Sequence, residues 1–573
     1  MAENLTSRIR KTGISLPDIV AFVFVMGTFI GCLYVASYWA GPLNTDVQLN
    51  LTYSNLPSAV FLSISRIILA YFVCLFSSIA VGYWAAHSKI AETILVPLID
   101  IGQSIPVLGF MPGLVLTFLA VFPHNRIGLE IAAMLMLCTG MAWNMMLSFY
   151  GSIKTIPREY LEIIRAYGYG PLGTLIRLEL PYATNGLVWN SMLSVAGGWF
   201  FLMSCESFTL GSQSFRLVGL GTYMSQAAEQ GNYGAIAAGI GVMILILVFA
   251  DYFIWRPLLR WSESFQQMTF INKEDEEEKK SYNVVTVFTR SKRISSFMRK
   301  LTKKYLLRFI VVKKRRDRRK KSLFNQSVFL NSIAILIFIA ICIWGVWASY
   351  KLLTTIPQTE WILLLKNTGR SLLRVTIVIF LSCITMVPLG LFVGSRPSLA
   401  KKLQPVIQII AAFPAPMIFP VLTIAFLRFN IPISASSVLL MMTGAQWYLL
   451  FNVLSGTTSV PTHLVEIANL SGMSYIQTLF RVYLPASFPQ ILTGLITTAG
   501  GAWNTSVVAE LVTFRGQEFV ASGLGSYINK AASGKQIPEL VAAVTMMVLV
   551  IVLLNRFFWA KLYNIAESKY RLD

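Results

Sequence analysis

The chain has 573 residues, of which 55% are hydrophobic and only 13% are charged, and its formal net charge is +22. Apolar runs of about 20 residues or more recur along it, which a soluble chain would not need, so the composition indicates a polytopic α-helical membrane protein. Much of the positive charge lies in one central segment and at the ends of the apolar runs, where Lys and Arg set membrane topology, so we do not expect nucleic-acid binding.

The residue types that build catalytic and metal sites are sparse and scattered. All six cysteines lie inside apolar runs without a C-x-x-C pair, which is typical of small buried hydrophobic residues. The three histidines, His87, His124 and His463, are isolated from one another. The G-x-x-x-x-G-K-[ST] phosphate loop does not occur in the sequence. We therefore expect the chain to bind no metal and no cofactor, and any ATP-driven step to use a separate protein.

Charge and hydropathy predict twelve membrane spans. Three basic residues, Arg8, Arg10 and Lys11, precede the first apolar run, which is too long for the core of a signal peptide. The segment from Gly41 to Pro57 contains no Lys or Arg, so it is expected outside and the N-terminus inside. The predicted spans are about 16–40, 58–86, 94–122, 128–151, 185–206, 233–256, 325–350, 367–395, 402–428, 432–455, 488–510 and 537–560.

One long polar segment, 257–323, separates the two sets of six spans. It contains the acidic run 274–278 and then basic clusters that end at 313–321. These charges indicate either a contact with anionic membrane lipid or a regulatory site, or a linker whose charges set topology, and we favour the linker. Residues 294–312 are consistent with an amphipathic surface helix. The segment divides the chain into predicted domains 1–256 and 324–573.

The two sets of spans repeat each other's sequence in the same orientation. Through the third span the offset is 308, as from Arg66 to Arg374, and from the fourth span it is 304, as from Trp199 to Trp503. The shift of four residues falls in a predicted external loop around 122–125, where length changes are tolerated. Each half contains an even number of spans, so we expect a pseudo-twofold axis along the membrane normal.

The most specific repeated feature is a short polar segment between the fourth and fifth spans. The first copy begins at Pro157 and reaches Gly168, and the second begins at Pro461 and reaches Gly472. Proline fits the first turn of a helix and glycine fits the left-handed position past its end, so each copy predicts a helix of about ten residues. Such a helix is too short and too polar to cross a membrane. It indicates a docking element or, alternatively, a plain cytoplasmic connector.

Further spacing within this segment matches a known motif. Glu162 and Glu466 each lie six residues before the glycine, and a Leu-Pro pair closes each copy at 180–181 and 484–485. The pattern resembles the EAA loop of permease subunits of bacterial ABC importers, with Ile163 and Ile164 in place of both alanines in the first copy. In that family the loop carries a coupling helix that sits in a cleft of the ATP-binding subunit. The resemblance implies ATPase docking by Arg158, Glu159, Glu162, Arg165, Gly168, His463, Glu466, Ala468 and Gly472.

The resemblance covers nearly the whole chain outside the central segment. It implies two permease domains of the type I (MetI-like) fold, fused head to tail. The segment 104–112, the S-x-x-R sequence at 63–66 and the Gly-Leu-Gly sequence at 219–221 look like the branch that serves nitrate, sulfonate, taurine and bicarbonate. The resemblance further implies two copies of an ATP-binding-cassette ATPase, a substrate-binding protein, and a location in the bacterial cytoplasmic (inner) membrane with both termini cytoplasmic.

Charged and aromatic residues inside the predicted spans are candidates for the translocation path. A charge in a span is costly, so each needs an explanation. The arginines suit contact with an anion or, alternatively, snorkelling or a structural hydrogen bond to a neighbouring helix. The glutamates suit the cavity or the binding-protein interface or, alternatively, a capping or packing role. The tryptophans lie beside glycine pairs, which suits a cavity wall or close helix packing. These candidates are Arg66, Trp199, Glu206, Arg374, Trp503 and Glu510.

Two matched proline pairs predict a bend in the third span of each half. They are Pro106 with Pro112 and Pro414 with Pro420. Broken helices can expose backbone groups to a transported molecule, although a kink is also an ordinary packing feature.

Three function classes remain after these observations. The first is the permease of an ABC importer, which moves a small solute by alternating access and makes no covalent bond. The second is an ion-coupled secondary transporter, which also uses repeats but needs acidic residues near mid-membrane and has no use for two docking helices. The third is a membrane enzyme or scaffold, against which the lack of paired acids, His clusters and nucleophile motifs argues. We favour the first and keep the second as the alternative.

Overall fold

The computed structural model describes residues 49–104, 107–210, 213–266, 347–534 and 536–570, with single residues around 35–41 and 340–345. Several predictions lie wholly or mostly outside the described residues. They are the first span of each half, the charged central segment from residue 267 onward, and the surface helix predicted at 294–312.

The first repeat is a set of long apolar helices joined by short turns, with one antiparallel hairpin after the fifth predicted span. The helix α6 contains a π-helical turn at Leu175–Glu179, and a second π turn, Asp251–Trp255, joins α8 to α9. The elements are α1 (Leu56–His87), α2 (Lys89–Ser104), α3 (Met111–Val121), α4 (Ile127–Lys154), α5 (Arg158–Ala166), α6 (Pro171–Glu206), β1 (Ser207–Leu210), β2 (Gln213–Arg216), α7 (Leu220–Gln230), α8 (Tyr233–Ala250) and α9 (Arg256–Gln266).

The second repeat has the same order of elements. Its π turns are Leu479–Tyr483, between α15 and α16, and Leu554–Trp559, between α19 and α20. The elements are α10 (Gln358–Gly394), α11 (Pro397–Ala412), α12 (Ala415–Arg428), α13 (Ile433–Thr458), α14 (Thr462–Leu470), α15 (Tyr475–Thr478), α16 (Leu484–Ala486), α17 (Phe488–Ala509), β3 (Leu511–Phe514), β4 (Gln517–Val520), α18 (Leu524–Ser533), α19 (Ile537–Leu553) and α20 (Ala560–Tyr570).

Seven described helices are long and apolar enough to cross a membrane, or eight if one bent pair forms a single span. This confirms the predicted class of α-helical polytopic membrane protein. The predicted count of twelve spans includes segments that lie outside the described residues, so it stays a prediction. The seven are Tyr53–His87, Ile127–Lys154, Pro171–Glu206, Tyr233–Glu263, Gln358–Gly394, Ile433–Thr458 and Ile537–Tyr563.

The fifth span of the first half begins earlier than the predicted residue 185. The helix starts at Pro171 and continues through Pro181. Proline has no N–H to donate, and the π turn at Leu175–Glu179 comes directly before the Leu-Pro pair, where the regular ladder of hydrogen bonds is interrupted. Pro181, which closes the repeated segment in the sequence, therefore lies inside a longer helix.

The bent third span is confirmed in the second half. The helices α11 and α12 meet at an angle of 82°, and Pro414 lies at the break. Pro420, in contrast, lies inside α12. In the first half Pro106 lies outside the described residues, and α3 has 11 residues, or about 17 Å, which is too short to cross the hydrocarbon core.

Each repeat has two distinct ends. The helix α6 begins next to α5 and ends at the β1–β2 hairpin, and the second repeat places α14 and the β3–β4 hairpin in the same way. We call these the coupling end and the hairpin end. The two hairpins were not predicted; in the second, Arg515 and Gly516 both have positive φ (52° and 71°), which suits a tight two-residue turn.

The two repeats touch near the hairpin end. The backbone N–H of Val107 donates to Asn504 Oδ1 at 2.8 Å. The backbone N–H of Arg515 donates to the Ala228 carbonyl at 3.1 Å, and its guanidinium donates to the Tyr233 hydroxyl at 2.9 Å. These contacts join the halves across their pseudo-twofold relationship.

Candidate functional site

The segments predicted to dock an ATPase are short helices at the coupling end. Both α5 and α14 have nine residues, which confirms the predicted length. Proline lies at the N-cap of each helix, one position before the predicted first turn. Gly168 and Gly472 follow the helices with φ of 73° and 71°, as predicted for left-handed termination. Local sequence therefore determines where each helix begins and ends.

Most of the predicted docking residues are exposed. On α5 and after it, Ile163 is 51% and Tyr167 is 76% exposed, and on α14 Ile467 and Leu470 are 57% and 88% exposed. Such apolar groups at a membrane protein's polar end suit a protein partner. Ala468 is only 2% exposed, so it packs against the permease and is not presented to a partner. The exposed members of the predicted set are Arg158, Glu159, Glu162, Arg165, Gly168, His463, Glu466 and Gly472.

The polar contacts near the coupling end differ between the two halves. In the first half Glu92 accepts from Lys154 Nζ at 2.8 Å and from the Tyr150 hydroxyl at 2.6 Å. These hydrogen bonds, with Lys154 the larger contribution, hold the pKa of Glu92 below its ordinary value. In the second half the Ser395 and Tyr475 hydroxyls are hydrogen-bonded at 2.8 Å. The repeats therefore share helix positions but not the polar contacts around them.

Replacing Gly168 by Ala is expected to weaken ATPase recovery without unfolding the permease. An added Cβ would meet nothing within 4 Å, so the loss of stability, about 1 kcal/mol, comes only from the positive φ. This strain would disturb the C-terminal end of α5. Asn is expected to be milder because it tolerates this conformation. The measurement is co-purified ATPase together with the melting temperature. Gly151→Ala is the control, since that glycine is helical and equally uncrowded; equal losses from both changes would contradict the prediction.

A cavity of about 870 Å³ lies between the two repeats. This volume is within the range of small-molecule sites. The two predicted tryptophans, Trp199 and Trp503, are both in its wall. On α17 the wall runs from Phe488, the first residue of the helix, to Thr505, so the cavity extends toward the coupling end. Both halves contribute residues to the wall of this one cavity.

The four charged path candidates occupy a different place. They are absent from the described residues that line the cavity and instead form buried clusters near the hairpin end, one in each half. In the first half Arg66 and Glu206 are 0% exposed, and Arg66 Nη1 donates to Glu206 Oε1 at 2.7 Å. The structure thus favours structural hydrogen bonding over contact with the transported molecule for these four residues: Arg66, Glu206, Arg374 and Glu510.

The first cluster contains a second carboxylate that the sequence analysis missed. Arg66 donates through Nε and Nη2 to the two oxygens of Glu130 at 2.7 and 2.6 Å, a bidentate pair. Glu130 is 0% exposed. The sequence signal that could have revealed Glu130 is an acidic residue near the start of the fourth predicted span. The matched residue of the second half, Ser434, carries no charge and is exposed.

The cluster also holds the first turn of α7, the helix that follows the hairpin. The Ser63 hydroxyl donates to Glu206 Oε1 at 2.6 Å and accepts from the Leu220 N–H at 2.8 Å. The Gly221 N–H donates to Glu206 Oε2 at 2.7 Å. The S-x-x-R and Gly-Leu-Gly sequences, far apart in the chain, are therefore two sides of one buried site.

The second half repeats this arrangement with one carboxylate. Arg374 Nη1 donates to Glu510 Oε1 at 2.9 Å, and the Ser371 hydroxyl donates to the same oxygen at 2.6 Å. The N–H groups of Leu524 and Gly525 donate to Ser371 Oγ and Glu510 Oε2. Counting only these side chains, the first cluster carries one positive and two negative groups and the second one of each.

Comparison with known proteins agrees with this duplicated architecture. The model of the family described as binding-protein-dependent transport system inner membrane component matches twice, at residues 78–254 and 386–563. The two matches fall on the two repeats and together cover more than half of the chain.

Individual relatives each match about one third of the chain. A protein of Methanocaldococcus jannaschii assigned as an ABC transporter permease is 29% identical over 208 residues, 35% of this chain and 74% of the relative. The taurine transport system permease protein TauC of Escherichia coli is 29% identical over 164 residues, which are 28% of this chain and 58% of TauC. The nitrate import permease protein NrtB of Synechocystis is 27% identical over 201 residues, which are 35% of this chain and 70% of NrtB. The chain belongs to the binding-protein-dependent permease family of ABC importers and carries that family's membrane domain twice.

Proposed function

We propose that this chain forms both halves of the translocation pathway of an ABC importer. The observation that carries the proposal is the pair of exposed nine-residue helices, α5 and α14, at one end of two repeats that enclose a cavity. A single permease subunit of this kind would need a second copy to complete the cavity wall. Here the fusion of domains 1–256 and 324–573 supplies both walls.

The proposed partners follow from the two docking helices. Each helix takes one copy of an ATP-binding-cassette ATPase, so two copies bind per chain, and a substrate-binding protein delivers the cargo at the hairpin end. The chain contributes no ATP-binding domain and uses ATP only through these partners. We place it in the bacterial cytoplasmic (inner) membrane, with both termini and the coupling end in the cytoplasm.

The contacts between the halves support an inward-facing state under this orientation. The halves touch near the hairpin end through Val107 and Asn504 and through Arg515 and Tyr233. The cavity extends toward the coupling end. ATP binding by the partners would draw α5 and α14 together and open the opposite end, as alternating access requires.

The cargo is a small solute of the kind handled by the relatives, which include permeases for taurine and nitrate. Trp199 and Trp503 are the path candidates that the cavity geometry supports. The charged candidates support the fold around the hairpin end instead, because their polar atoms are engaged in the buried clusters.

The test is a mild-detergent purification of the tagged full chain, followed by mass spectrometry of the proteins that co-purify. A stoichiometric ATP-binding-cassette protein that is lost from the Glu162→Ala, Glu466→Ala double variant supports the proposal. The matched control is Glu263→Ala, an exposed carboxylate of α9 outside both coupling helices. A solitary protein would instead favour the ion-coupled transporter, and uptake would then be measured against proton and sodium gradients.

The two single variants are expected to lose unequal amounts of ATPase. The first coupling helix carries four charged residues, whereas the second exposes His463, Glu466 and the apolar Ile467 and Leu470. Glu162→Ala should therefore reduce the amount of bound ATPase more than Glu466→Ala does. Added salt should weaken ATPase binding at α5 more than at α14. Leu470→Ala should be the damaging change in the second helix. Equal losses from Glu162→Ala and Glu466→Ala, measured as the ATPase-to-permease ratio, would contradict unequal docking.

A further inference from the structure

His87, the last residue of α1, faces a hydrogen-bond acceptor at each of its ring nitrogens. Its Nδ1 lies 2.9 Å from the Tyr83 carbonyl oxygen, and its Nε2 lies 2.9 Å from Glu179 Oε1. The imidazolium ion has two N–H groups and can donate to both oxygens, whereas a neutral imidazole has one N–H. Either neutral tautomer would direct a nitrogen lone pair at one of the two oxygens. The geometry of this site therefore fits the charged ring.

Glu179 depends on this contact because it is buried. Its side chain is 1% exposed, and among the described residues its Oε2 has no hydrogen-bond partner. A buried carboxylate that loses its cation is costly. The His87 side chain is 41% exposed, so it can exchange its proton with solvent. The pair thus combines a group that responds to pH with a buried group that needs the positive charge.

The contact joins α1 to the chain that follows the first coupling helix. Glu179 ends the π turn near the start of α6, and α6 is the next element after α5. The helix α1 has 32 residues, or about 48 Å, which exceeds a hydrocarbon core of about 30 Å. His87, one residue past the predicted span 58–86, therefore lies at the aqueous coupling end. We call residues 158–180, which contain α5 and the π turn, the first coupling region.

Several groups around His87 act on its charge. The hydrogen bond to Glu179 makes the largest contribution that raises the pKa of His87 above its ordinary value, and partial burial opposes it. Lys154 of α4 repels the imidazolium ion, although its Nζ is itself paired with Glu92 of α2. The Tyr83 ring stacks on the imidazole, with centroids 4.1 Å apart. Because this pKa is raised in the folded state, the contact contributes its full stabilisation below about pH 6.5 and loses it as pH rises through the raised pKa.

The second half has a different contact at the matched place. The residues that match His87 and Glu179 are Ser395 and Tyr483. The Ser395 hydroxyl is hydrogen-bonded to the Tyr475 hydroxyl at 2.8 Å. Hydroxyl groups of these types are ordinarily uncharged near neutral pH. A change of pH near neutrality is therefore expected to act on the coupling contact of one half.

We propose that the His87–Glu179 contact is a pH-sensitive attachment of the first coupling region to α1, through which cytoplasmic pH controls docking of the ATPase at α5. The contact is closed when His87 carries its second proton and opens as the pH rises. His87 is in this sense a positioning residue, because it acts on α5 through Glu179 and α6. The docking consequence rests on the proposed function, whereas the contact itself does not.

The first experiment follows the contact in the purified full chain in lipid nanodiscs. Hydrogen exchange of residues 168–180 is measured by mass spectrometry from about pH 6 to about pH 8.5, the range in which histidine ordinarily changes charge, and is corrected for the intrinsic effect of pH. Exchange is expected to increase with pH by up to about tenfold per unit, the limit for the loss of one proton. The matched segment 472–484 is the internal control and should show no such increase.

Three variants assign the effect to the charge on His87. His87→Gln and Glu179→Gln should exchange rapidly at every pH, because the ion pair is absent. His87→Arg keeps a positive charge at every pH and should exchange slowly throughout. Tyr475→Phe removes the matched contact of the second half and should leave the pH dependence of residues 168–180 unchanged. A melting temperature for each variant separates opening of the contact from unfolding.

The second experiment measures the ATPase-to-permease ratio after purification over the same pH range. All chains carry His463→Gln, which removes the exposed histidine of α14 from the comparison. The ratio is expected to fall as the pH rises when His87 is present and to stay higher with His87→Arg. Any effect of pH on the ATPase itself is common to both chains, so the difference between them reports the contact.

The proposal is overturned if exchange of residues 168–180 has the same pH dependence with His87, His87→Gln and His87→Arg. It is also overturned if the ATPase is recovered but its ratio follows pH identically with His87 and with His87→Arg. If the exchange series behaves as expected and no ATPase is recovered at any pH, the proposed function fails while the pH-sensitive contact is supported. The two failures are therefore distinguishable.

Discussion

Replacing Arg66 by Met is expected to abolish accumulation of the folded protein. The change leaves Glu130 and Glu206, both 0% exposed, without the guanidinium that bonds to each of them. Removal of one partner from a buried ion pair costs about 3–5 kcal/mol, and here two carboxylates lose their partner. The total free energy of unfolding of a typical protein domain is about 5–15 kcal/mol. The measurement is the monodisperse fraction in size-exclusion chromatography and the melting temperature.

The second half supplies a matched comparison for this prediction. Arg374→Met leaves only Glu510 without its cation, and Arg374 is 8% exposed, so a smaller loss is expected. Neutralising the carboxylates should restore folding: Glu510→Gln in the second half, and both Glu130→Gln and Glu206→Gln in the first. If Arg66→Met is as stable as the wild type, or if the neutralised variants recover nothing, the uncompensated-charge explanation fails.

Replacing Gly219 by Ala is the second change expected to be severe. A Cβ at this position would overlap the Glu206 carboxylate, and a Cβ at Gly523 would overlap that of Glu510. Both glycines have extended backbone, with φ of −178° and −170°, so the obstacle is space and not conformation. The Glu206 carboxylate would have to leave the Arg66 guanidinium and the Gly221 N–H. We expect a loss of about 1–3 kcal/mol or more from overpacking at a charged site.

The check for Gly219→Ala combines melting temperature with limited proteolysis at the hairpin end. Displacement of Glu206 should release the first turn of α7, which contains Leu220 and Gly221, so cleavage there should increase. Gly241→Ala is the control, because that helical glycine has nothing within 4 Å and Ala should be neutral or slightly stabilising. Unchanged proteolysis and stability in both variants would show that the cluster adapts and does not hold the first turn of α7.

The clusters suggest why the two halves keep their charged residues although the charges do not line the cavity. Each cluster ties the start of the second span to the end of the fifth span and to the helix after the hairpin. These elements surround the end at which the halves touch. A rigid attachment there would let each half move as a body when its coupling helix is displaced.

Much of the architecture was determined by local sequence. Apolar runs predicted the spans because the hydrocarbon core demands length, and the Pro157–Gly168 and Pro461–Gly472 patterns predicted both coupling helices because capping depends on neighbouring residues. The offsets of 308 and 304 exposed the duplication, which the two family matches confirm. The spans and the helix ends are each encoded within a few turns of chain, and the duplication is visible because the same local patterns occur twice in the sequence.

The site chemistry depended on the tertiary structure. The sequence placed Arg66 and Trp199 in spans, but the rotation and crossing of helices decided that Trp199 faces the cavity while Arg66 faces two carboxylates. Glu130 was missed because its partner lies 64 residues away in the chain. A helix with several apolar faces, buried among others, carries no local signal for which face meets a neighbour, so packing alone determined which polar groups met.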